Sequence, residues 1–292
     1  MRSSLLKDQA DIQDMRRLSE TLPRGSAIPD FEELIQLEAV RAVTRLWREG
    51  AALRAFAFVD EFNNLWFETD QGISSDALER RIVEWGLQVM QERNAASGMT
   101  NPLDAACQSS DSFKIAVLVK NGFIRQPVRT LRYARSLDEP VDAYVLPPGF
   151  MIRPVRGEHE APDLVALHRA AFGTDNMTVE RRLAIMRAPL YDPELDLVIA
   201  APDEELAAFC ICGIDAENDS LGFTDPIGVR PRYQRLGLAR GVVTAGMRAL
   251  KTRGVTKVEL GTSSENSAMQ RLAEALGFKV VSEGLWFSRA VG

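Results

Sequence analysis

The sequence is poor in histidine and cysteine, the residues that build most metal centres and disulfide frameworks. Its 292 residues include two histidines, His159 and His168, which are too few for a histidine-rich metal site. Three cysteines are present, and Cys210 and Cys212 lie in the apolar run "AAFCICGI". Such a setting predicts buried free thiols rather than disulfides. We therefore expect a protein that holds no metal.

Long apolar stretches and an excess of basic charge are also missing. No apolar run reaches membrane-spanning length, and the N-terminal stretch "MRSSLLKDQADIQDM" is too polar for a signal peptide. The net charge is −6, which argues against a general nucleic-acid-binding protein, because neutralising phosphates needs a surplus of lysine and arginine. We expect a soluble cytoplasmic protein with neither nucleic acid nor membrane as a partner.

The length favours two domains, and the two halves of the chain repeat one order of elements. Proline and charge cluster at 136–150, "SLDEPVDAYVLPPGF", as is typical of a linker. The Gly-Phe pair at 122–123 recurs at 277–278, and "LRAF" at 53–56 recurs as "LAAF" at 206–209. These matches predict an α/β (α+β) fold of two domains, 1–140 and 141–292, each with a mixed, mostly antiparallel sheet flanked by helices.

Hydrophobic periodicity predicts the individual elements. In the first half, strands are expected at 53–60, 64–70, 103–108 and 125–136, with helices at 76–93 and 112–123. In the second half, strands are expected at 195–202, 205–214, 221–229 and 255–263, helices at 238–252 and 267–276, and a final hairpin at 278–290.

The segment "VRPRYQRLGLARG", 229–241, joins a predicted strand to a predicted helix. The first amide groups of a helix lack intrahelical partners, so a helix that begins in a small-residue loop suits a diphosphate. Gly237 and Ala239 keep side chains small there, Arg235 and Arg240 add positive charge, and Gln234 shapes the loop. An ordinary strand-to-helix connection with solvated arginines is the alternative. The corresponding loop of the first half, "QGISSD", has no such glycine pattern.

The pattern Gln-x-x-Gly-x-Ala at 234–239, with Val229 and Pro231 ahead of it, resembles the GNAT superfamily of acyl-CoA-dependent N-acyltransferases. The segment "NSAMQRLAEALGF", 266–278, is similar to that family's Asn-…-Leu-Gly-Phe helix. The whole chain looks like a tandem GNAT protein with an intact second copy and a degenerate first copy that lacks the pyrophosphate loop.

The resemblance implies that acetyl-CoA is the cosubstrate and that the second domain holds it without a metal. Backbone groups around Val229 would pair with the pantetheine arm, amides from Arg235 to Arg240 would hold the diphosphate, and Asn266 would contact the coenzyme. For Asn266 a plain N-cap of the last helix is the alternative. The implied coenzyme-binding residues are Ile227, Gly228, Val229, Gln234, Arg235, Leu236, Gly237, Leu238, Ala239, Arg240, Asn266 and Met269.

Acyl transfer to an amine requires a base that removes a proton from the attacking nitrogen. Asp225 is the catalytic candidate, directly or through a water, although an aspartate before a proline also promotes a turn. Pro226 predicts a bulge or an edge position within this strand. Glu259 is a second candidate base, for which an ion pair is the alternative. The family's usual acid, a tyrosine, is replaced here by Ala273.

The sequence therefore predicts an N-acetyltransferase that moves an acetyl group from acetyl-CoA to the amine of a small molecule by direct attack in a ternary complex. A catalytically impaired acyl-CoA-binding or regulatory protein of the same fold is the alternative. Residues 168–196 should line the acceptor cleft, and their carboxylates suit a cationic amine, although a solvated surface explains them equally well. A homodimer is compatible with this interpretation.

Overall fold

The division of the chain into two units does not follow the linker. The computed structural model describes residues 1–22, 28, 31–70, 72–73, 75–216 and 218–292. Unit 1 comprises Met1–Arg129 together with Glu283–Gly292, and unit 2 comprises Thr130–Ser282. Two long strands, β6 (Ile124–Ser136) and β12 (Lys279–Arg289), have their residues divided between the units.

Unit 1 contains an antiparallel sheet and a separate strand pair. The sheet has the order β1-β2-β3-β4, and the fifth strand pairs antiparallel with residues 284–289 of β12. The strands are β1 (Arg2–Leu5), β2 (Arg45–Glu49), β3 (Ala52–Val59), β4 (Leu65–Thr69) and β5 (Leu103–Gln108). The helices are α1 (Gln9–Glu20), α2 (Phe31–Leu34), α3 (Glu38–Ala42), α4 (Asp76–Ser97) and α5 (Ser112–Lys120).

Unit 2 is built on one sheet in which a single pair of strands is parallel. Residues 130–136 of β6 pair with β11, and the order continues β11-β10-β9-β8-β7, with β10 and β11 parallel and the other pairs antiparallel. The strands are β7 (Met151–Pro154), β8 (Asp196–Ala200), β9 (Leu206–Ile214), β10 (Leu221–Val229) and β11 (Lys257–Ser263). The helices are α6 (Ala161–Phe172), α7 (Val179–Met186), α8 (Leu238–Thr252) and α9 (Ser267–Ala275).

Helices cover both faces of this second sheet. Leu197 and Ile199 of β8 pack in the same apolar cluster as Val242 of α8, whereas Val198 packs with Leu164 of α6. Because successive side chains of a strand point to opposite faces, α8 and α6 lie on opposite sides of the sheet. The predicted class of mixed sheet flanked by helices is confirmed. Within the described ranges, no helix is long and apolar enough to cross a bilayer.

Helix α8 matches the predicted range 238–252 because both of its ends are marked in the sequence. Its buried residues recur at helical spacing, from Leu238 through Val242 to Met247. Gly237 stands at the N-cap in a left-handed conformation, and Gly254 takes the same conformation after the last turn. The terminal glycines and the apolar spacing indicate the same helix bounds, so the sequence alone predicts where α8 begins and ends.

Two expectations about the chain's organisation differ from the structure. The boundary expected between residues 140 and 141 misplaces residues 130–140, which belong to unit 2, and residues 283–292, which belong to unit 1. The hairpin expected at 278–290 is wrong, because β12 is one uninterrupted strand. Alternation of apolar and polar residues predicts that a segment is a strand, but it does not say which strand is its neighbour.

A buried ion pair ties helix α7 to the sheet of unit 2. Arg182 of α7 and Asp196 at the start of β8 are 4% and 0% exposed, and they form a salt bridge. The hydroxyl of Tyr191 donates a second hydrogen bond to Asp196 Oδ2 at 2.7 Å. This triad fixes the segment that leads from α7 into the sheet.

Substituting Asp196 tests this anchor. Asp196→Ala should lower the free energy of unfolding of unit 2 by about 3–5 kcal/mol, because it leaves the Arg182 guanidinium buried without a counter-charge. Urea unfolding followed by circular dichroism measures it. Glu158→Ala is the matched control, since it removes the exposed salt bridge to Arg187 and should leave unfolding nearly unchanged. Equal effects of the two substitutions would contradict the assigned anchor.

Candidate functional site

Strands β10 and β11 separate part of the way along their length. Their parallel pairing runs from Leu221 opposite Lys257 to Phe223 opposite Glu259, and it ends there. Two residues farther along, a side chain of β10 takes the place of its backbone as the partner of β11. Asp225 Oδ2 accepts a hydrogen bond from the Gly261 N–H at 2.6 Å. The Asp225 carboxylate therefore stands where the two strands diverge.

A bulge on the other side of β10 accompanies this separation. Thr224 pairs with Cys212 and Ile227 with Cys210, so that Asp225 and Pro226 together oppose one residue of β9. The Asp225–Pro226 peptide bond is cis. The bulge predicted from Pro226 is confirmed. The alternative of an edge strand is wrong, because β10 has β9 on one side and β11 on the other.

Beyond the bulge, one edge of β10 faces the gap. Residues Ile227, Gly228 and Val229 pair with β9, and no strand among the described residues pairs with their opposite edge. A Cβ at Gly228 would lie 2.4 Å from Phe209 Cε1 and 2.9 Å from Ala171 Cβ. Glycine at 228 thus allows α6 to approach the strand closely, and this edge of the strand could accept an extended ligand as an added strand.

The loop that follows β10 leads directly to the N-terminus of α8. Gln234 is extended and its side-chain amide lies 3.4 Å from the Val229 carbonyl oxygen, while Arg235 and Gly237 have φ of 66° and 78°. Left-handed conformation is costly for arginine, so the loop is specifically shaped. Arg235 and Arg240 are both exposed, which leaves their charge accessible at this end of the helix.

Two neighbouring arginines are used differently. Arg232 forms salt bridges with Asp203 and Glu205, and Arg230 forms one with Glu205. They hold the start of the loop against the turn between β8 and β9. Positive charge at the α8 terminus therefore comes from Arg235 and Arg240, as the sequence predicts.

Part of the linker lies against the N-terminal turn of α8, which the sequence did not reveal. A Cβ at Gly237 would lie 2.0 Å from Tyr144 Oη, and one at Gly241 would lie 2.6 Å from Leu146 Cδ2. The guanidinium carbon of Arg240 is 5.6 Å from the centroid of the Tyr144 ring. Glycine at 237 is therefore needed both for its positive φ and to admit Tyr144. The sequence offered one signal for this contact: glycines at 237 and 241 are four residues apart, as residues on one side of a helix are, and they allow another segment to approach closely.

The second motif caps the last helix of unit 2. Asn266 is the N-cap of α9, and its Oδ1 accepts a hydrogen bond from the Met269 N–H at 3.1 Å. The plain capping role is thus present, and contact of Asn266 or Met269 with a coenzyme stays a prediction. Ala273 is completely buried in the core, so α9 offers no hydroxyl at the position where the family has its tyrosine.

Glu259 is engaged in ion pairs. Its carboxylate lies 2.7 Å from Lys257 Nζ and 3.5 Å from Arg132 Nη1. The alternative interpretation of this residue, an ion pair on the sheet surface, therefore matches the structure. Asp225 remains the carboxylate at the point of strand separation.

On the face covered by α6, an imidazole lies among aromatic rings. His168 is 4.6 Å from Phe172 and 5.7 Å from Phe209 between ring centroids. Burial, together with the nearby charges of Arg181 and Arg182, lowers the pKa of His168 to about 4. The ring is therefore neutral near pH 7, and its apolar surroundings make it part of the packing.

In unit 1, the helix that follows the "QGISSD" loop begins differently from α8. Gln71 and Ser74 of the "QGISSD" loop lie outside the described residues. Helix α4 begins after Ser75, whose side chain accepts the Leu78 N–H, and its first turn contains Asp76. A capped terminus with an acidic residue disfavours a phosphate. The degenerate nature of this copy stays a prediction that these contacts support.

Part of unit 2 matches the model of a known protein family. Residues 161–278 match the model of the acetyltransferase (GNAT) family. A mycothiol acetyltransferase from Kineococcus radiotolerans is 37% identical over 135 residues, which cover 44% of this chain and 43% of the relative. One from Thermomonospora curvata is 27% identical over 280 residues, which cover 91% and 90%. Several matches, including that from Acidothermus cellulolyticus at 56%, span about half the length of the curated relative.

Solved structures match both units. A tandem GNAT protein from the clavulanic acid biosynthesis pathway has a TM-score of 0.73 at 15% identity, covering 99% of this chain and 98% of that one. A GCN5-related N-acetyltransferase from Sphaerobacter thermophilus has a TM-score of 0.70 at 20% identity, covering 99% and 95%. At these identities the likeness concerns the fold, and it supports two similar domains along the chain.

A pair of alanine substitutions tests the contact between Tyr144 and Gly237. Gly237→Ala and Gly254→Ala both place a Cβ on a left-handed residue, which costs about 1 kcal/mol. Nothing lies within 4 Å of the Cβ position at Gly254, so Gly237→Ala should be the more destabilising in thermal unfolding. Adding Tyr144→Ala should remove the excess. Equal melting temperatures for the two single variants would refute the contact.

Proposed function

We propose that the protein is an acetyl-CoA-dependent N-acetyltransferase acting on a small-molecule amine, and the match of residues 161–278 to the acetyltransferase (GNAT) family model supports this. One observation carries the proposal: in unit 2, the strand that borders the gap leads directly to the N-terminus of α8. The gap begins at Asp225, and the same strand leads through the 230–237 loop into α8. One extended ligand could therefore span both.

The proposed coenzyme site uses backbone groups more than side chains. The open edge of Ile227–Val229 would pair with the amides of the pantetheine arm, as an added strand does. Amides from Arg235 to Arg240 would hold the diphosphate at the helix terminus, with the side chains of Arg235 and Arg240 adding charge. Acetyl-CoA supplies the reactive thioester. Among the described residues no group of histidine, cysteine and carboxylate side chains is arranged to hold a metal, and the proposed reaction needs none.

Asp225 is proposed as the base for the attacking amine. Its Oδ2 accepts a hydrogen bond from the Gly261 N–H, which holds the carboxylate at the strand gap. An ionised carboxylate can accept a proton from an amine or from an intervening water. The amine attacks the thioester directly while both substrates are bound.

The departing thiolate needs no acid from α9 in this proposal. Ala273 is buried and carries no proton donor. A thiolate is a good leaving group because its conjugate thiol is acidic in comparison with an alcohol. Protonation of the thiolate can therefore follow departure.

The acceptor is proposed to be a small-molecule amine; the curated relatives are named mycothiol acetyltransferases, and this name makes mycothiol-related compounds the first candidates to test. Two of the acidic residues that the sequence offered for binding it have other partners. Asp196 is buried against Arg182, and Asp192 lies 3.0 Å from Arg253 Nη2. The remaining carboxylates of the segment, Asp175, Glu180 and Glu194, are exposed.

Two substitutions of Asp225 test the proposal. Asp225→Asn keeps an oxygen that can accept from the Gly261 N–H but removes the base, so turnover should fall by about a hundredfold or more while acetyl-CoA affinity stays close to that of the wild type. Release of free thiol from acetyl-CoA in the presence of candidate amines measures turnover. Calorimetric titration with acetyl-CoA measures binding, and Glu259→Gln is the matched control, expected to retain activity.

The two hypotheses about function separate in the same experiment. A binding or regulatory protein would take up acetyl-CoA without releasing thiol for any amine, whether or not Asp225 is replaced. If acetyl-CoA at saturating concentration does not shift the melting temperature of the wild-type protein, the protein does not bind it, and this result would contradict both hypotheses.

A further inference from the structure

We propose that Tyr144 of the linker is a coenzyme-contacting residue whose phenol hydroxyl donates a hydrogen bond to the diphosphate of acetyl-CoA. This inference rests on the proposed function, and it adds a residue that precedes the family match at 161–278. It assigns a binding role to a segment that the sequence presents only as a connection between domains.

The linker is fixed along α8 over several turns. Three basic side chains donate to its carbonyl oxygens: Lys251 to Glu139 at 3.3 Å, Arg248 to Val141 at 2.9 Å and Arg135 to Pro140 at 2.8 Å. Nearer the N-terminus of the helix, Tyr144 lies against Gly237 and Gly241, and Leu146 lies against Gly241. Residues 139–144 thus follow α8 towards its N-terminus, where the Tyr144 ring packs on the two glycines.

The hydroxyl of Tyr144 lies beside the residue from which α8 begins. The Cβ position at Gly237 is 3.3 Å from Tyr144 Cε1 but 2.0 Å from Oη, so the hydroxyl is the closest part of the ring. The amides of Leu238, Ala239 and Arg240 follow directly along the chain. A donor at this place extends the set of N–H groups that the helix terminus presents to an anion.

Arg240 links the ring to the charge of the site. Its guanidinium carbon is 5.6 Å from the Tyr144 centroid, within the range of a cation–π interaction. The ring therefore restrains an arginine that would otherwise move freely on the surface of the first turn. The hydroxyl and the guanidinium both belong to side chains beside the first turn of α8, and donors of these kinds bind diphosphates.

A cavity lies beside the ring, and the charges that line it decide where the phosphates are assigned. Tyr144 and Arg240 both line a cavity of about 300 Å³, which is at the lower end of small-molecule sites. The cavity is also lined by Arg135, Glu139 and Asp142, so its charges are of both signs. The phosphates are therefore assigned to the helix terminus rather than to the cavity interior.

Tyr144→Phe tests the hydroxyl while the ring keeps its place against Gly237 and Gly241. The dissociation constant for acetyl-CoA should rise by about tenfold, the effect of losing one hydrogen bond to a charged group. The constant for S-acetylpantetheine, which has no diphosphate, should be unchanged. Calorimetric titration of the full chain with both ligands measures the two values.

Tyr233→Phe is the matched control, because its hydroxyl lies near Arg232 and Asp203, 2.7 and 3.4 Å away; both affinities should stay at the wild-type values. An unchanged acetyl-CoA constant for Tyr144→Phe, or an equal rise for both ligands, would overturn the inference. Tighter binding would show that the side chain obstructs the site. Binding of acetyl-CoA by the wild-type protein tests the proposed function separately, so the two can fail independently.

Discussion

The hydrogen bond between the Asp225 carboxylate and the Gly261 N–H is the interaction on which the geometry of unit 2 depends. It satisfies a backbone donor that would otherwise be left unpaired where β10 and β11 separate. The carboxylate can thus replace a backbone carbonyl without closing the gap. On the other side of β10, the bulge at Asp225 and Pro226 lets the strand bend while keeping its ladder with β9. Asp225 therefore both shapes the strand gap and is the proposed catalytic base.

Helix α8 contacts two neighbours through two different faces. Its buried stripe, including Val242 and Met247, packs on the sheet, while Gly237 and Gly241 admit the linker on another face. Close approach of the linker brings an aromatic ring to the helix terminus that the strand gap also reaches. The small residues of the loop motif, which the sequence analysis assigns to phosphate binding, therefore have a second function. They leave room for linker residues 139–146 to pack against α8.

Local features of the chain were predictable, and pairing across the chain was not. Apolar spacing and terminal glycines delimit α8, and β10 has the bounds expected from its composition. The bulge at Pro226 also follows from the missing N–H of proline. The partner of β12 does not follow from its sequence, because an alternating strand fits any compatible edge. Tyr144 escaped prediction for the same reason: its role comes from where the linker lies, which depends on Arg248, Gly241 and other distant residues.

The exchange of strand segments between the units has a consequence for biosynthesis. Leu285 and Phe287 belong to the core of unit 1, yet nearly the whole of unit 2 is translated before them. Strand β5 has its antiparallel neighbour at 284–289, so the earlier part of unit 1 must wait on the ribosome with that edge and part of its core uncovered. Completion of unit 1 therefore follows the translation of nearly all of unit 2, and severing the chain at the linker would leave neither fragment with all of its strands.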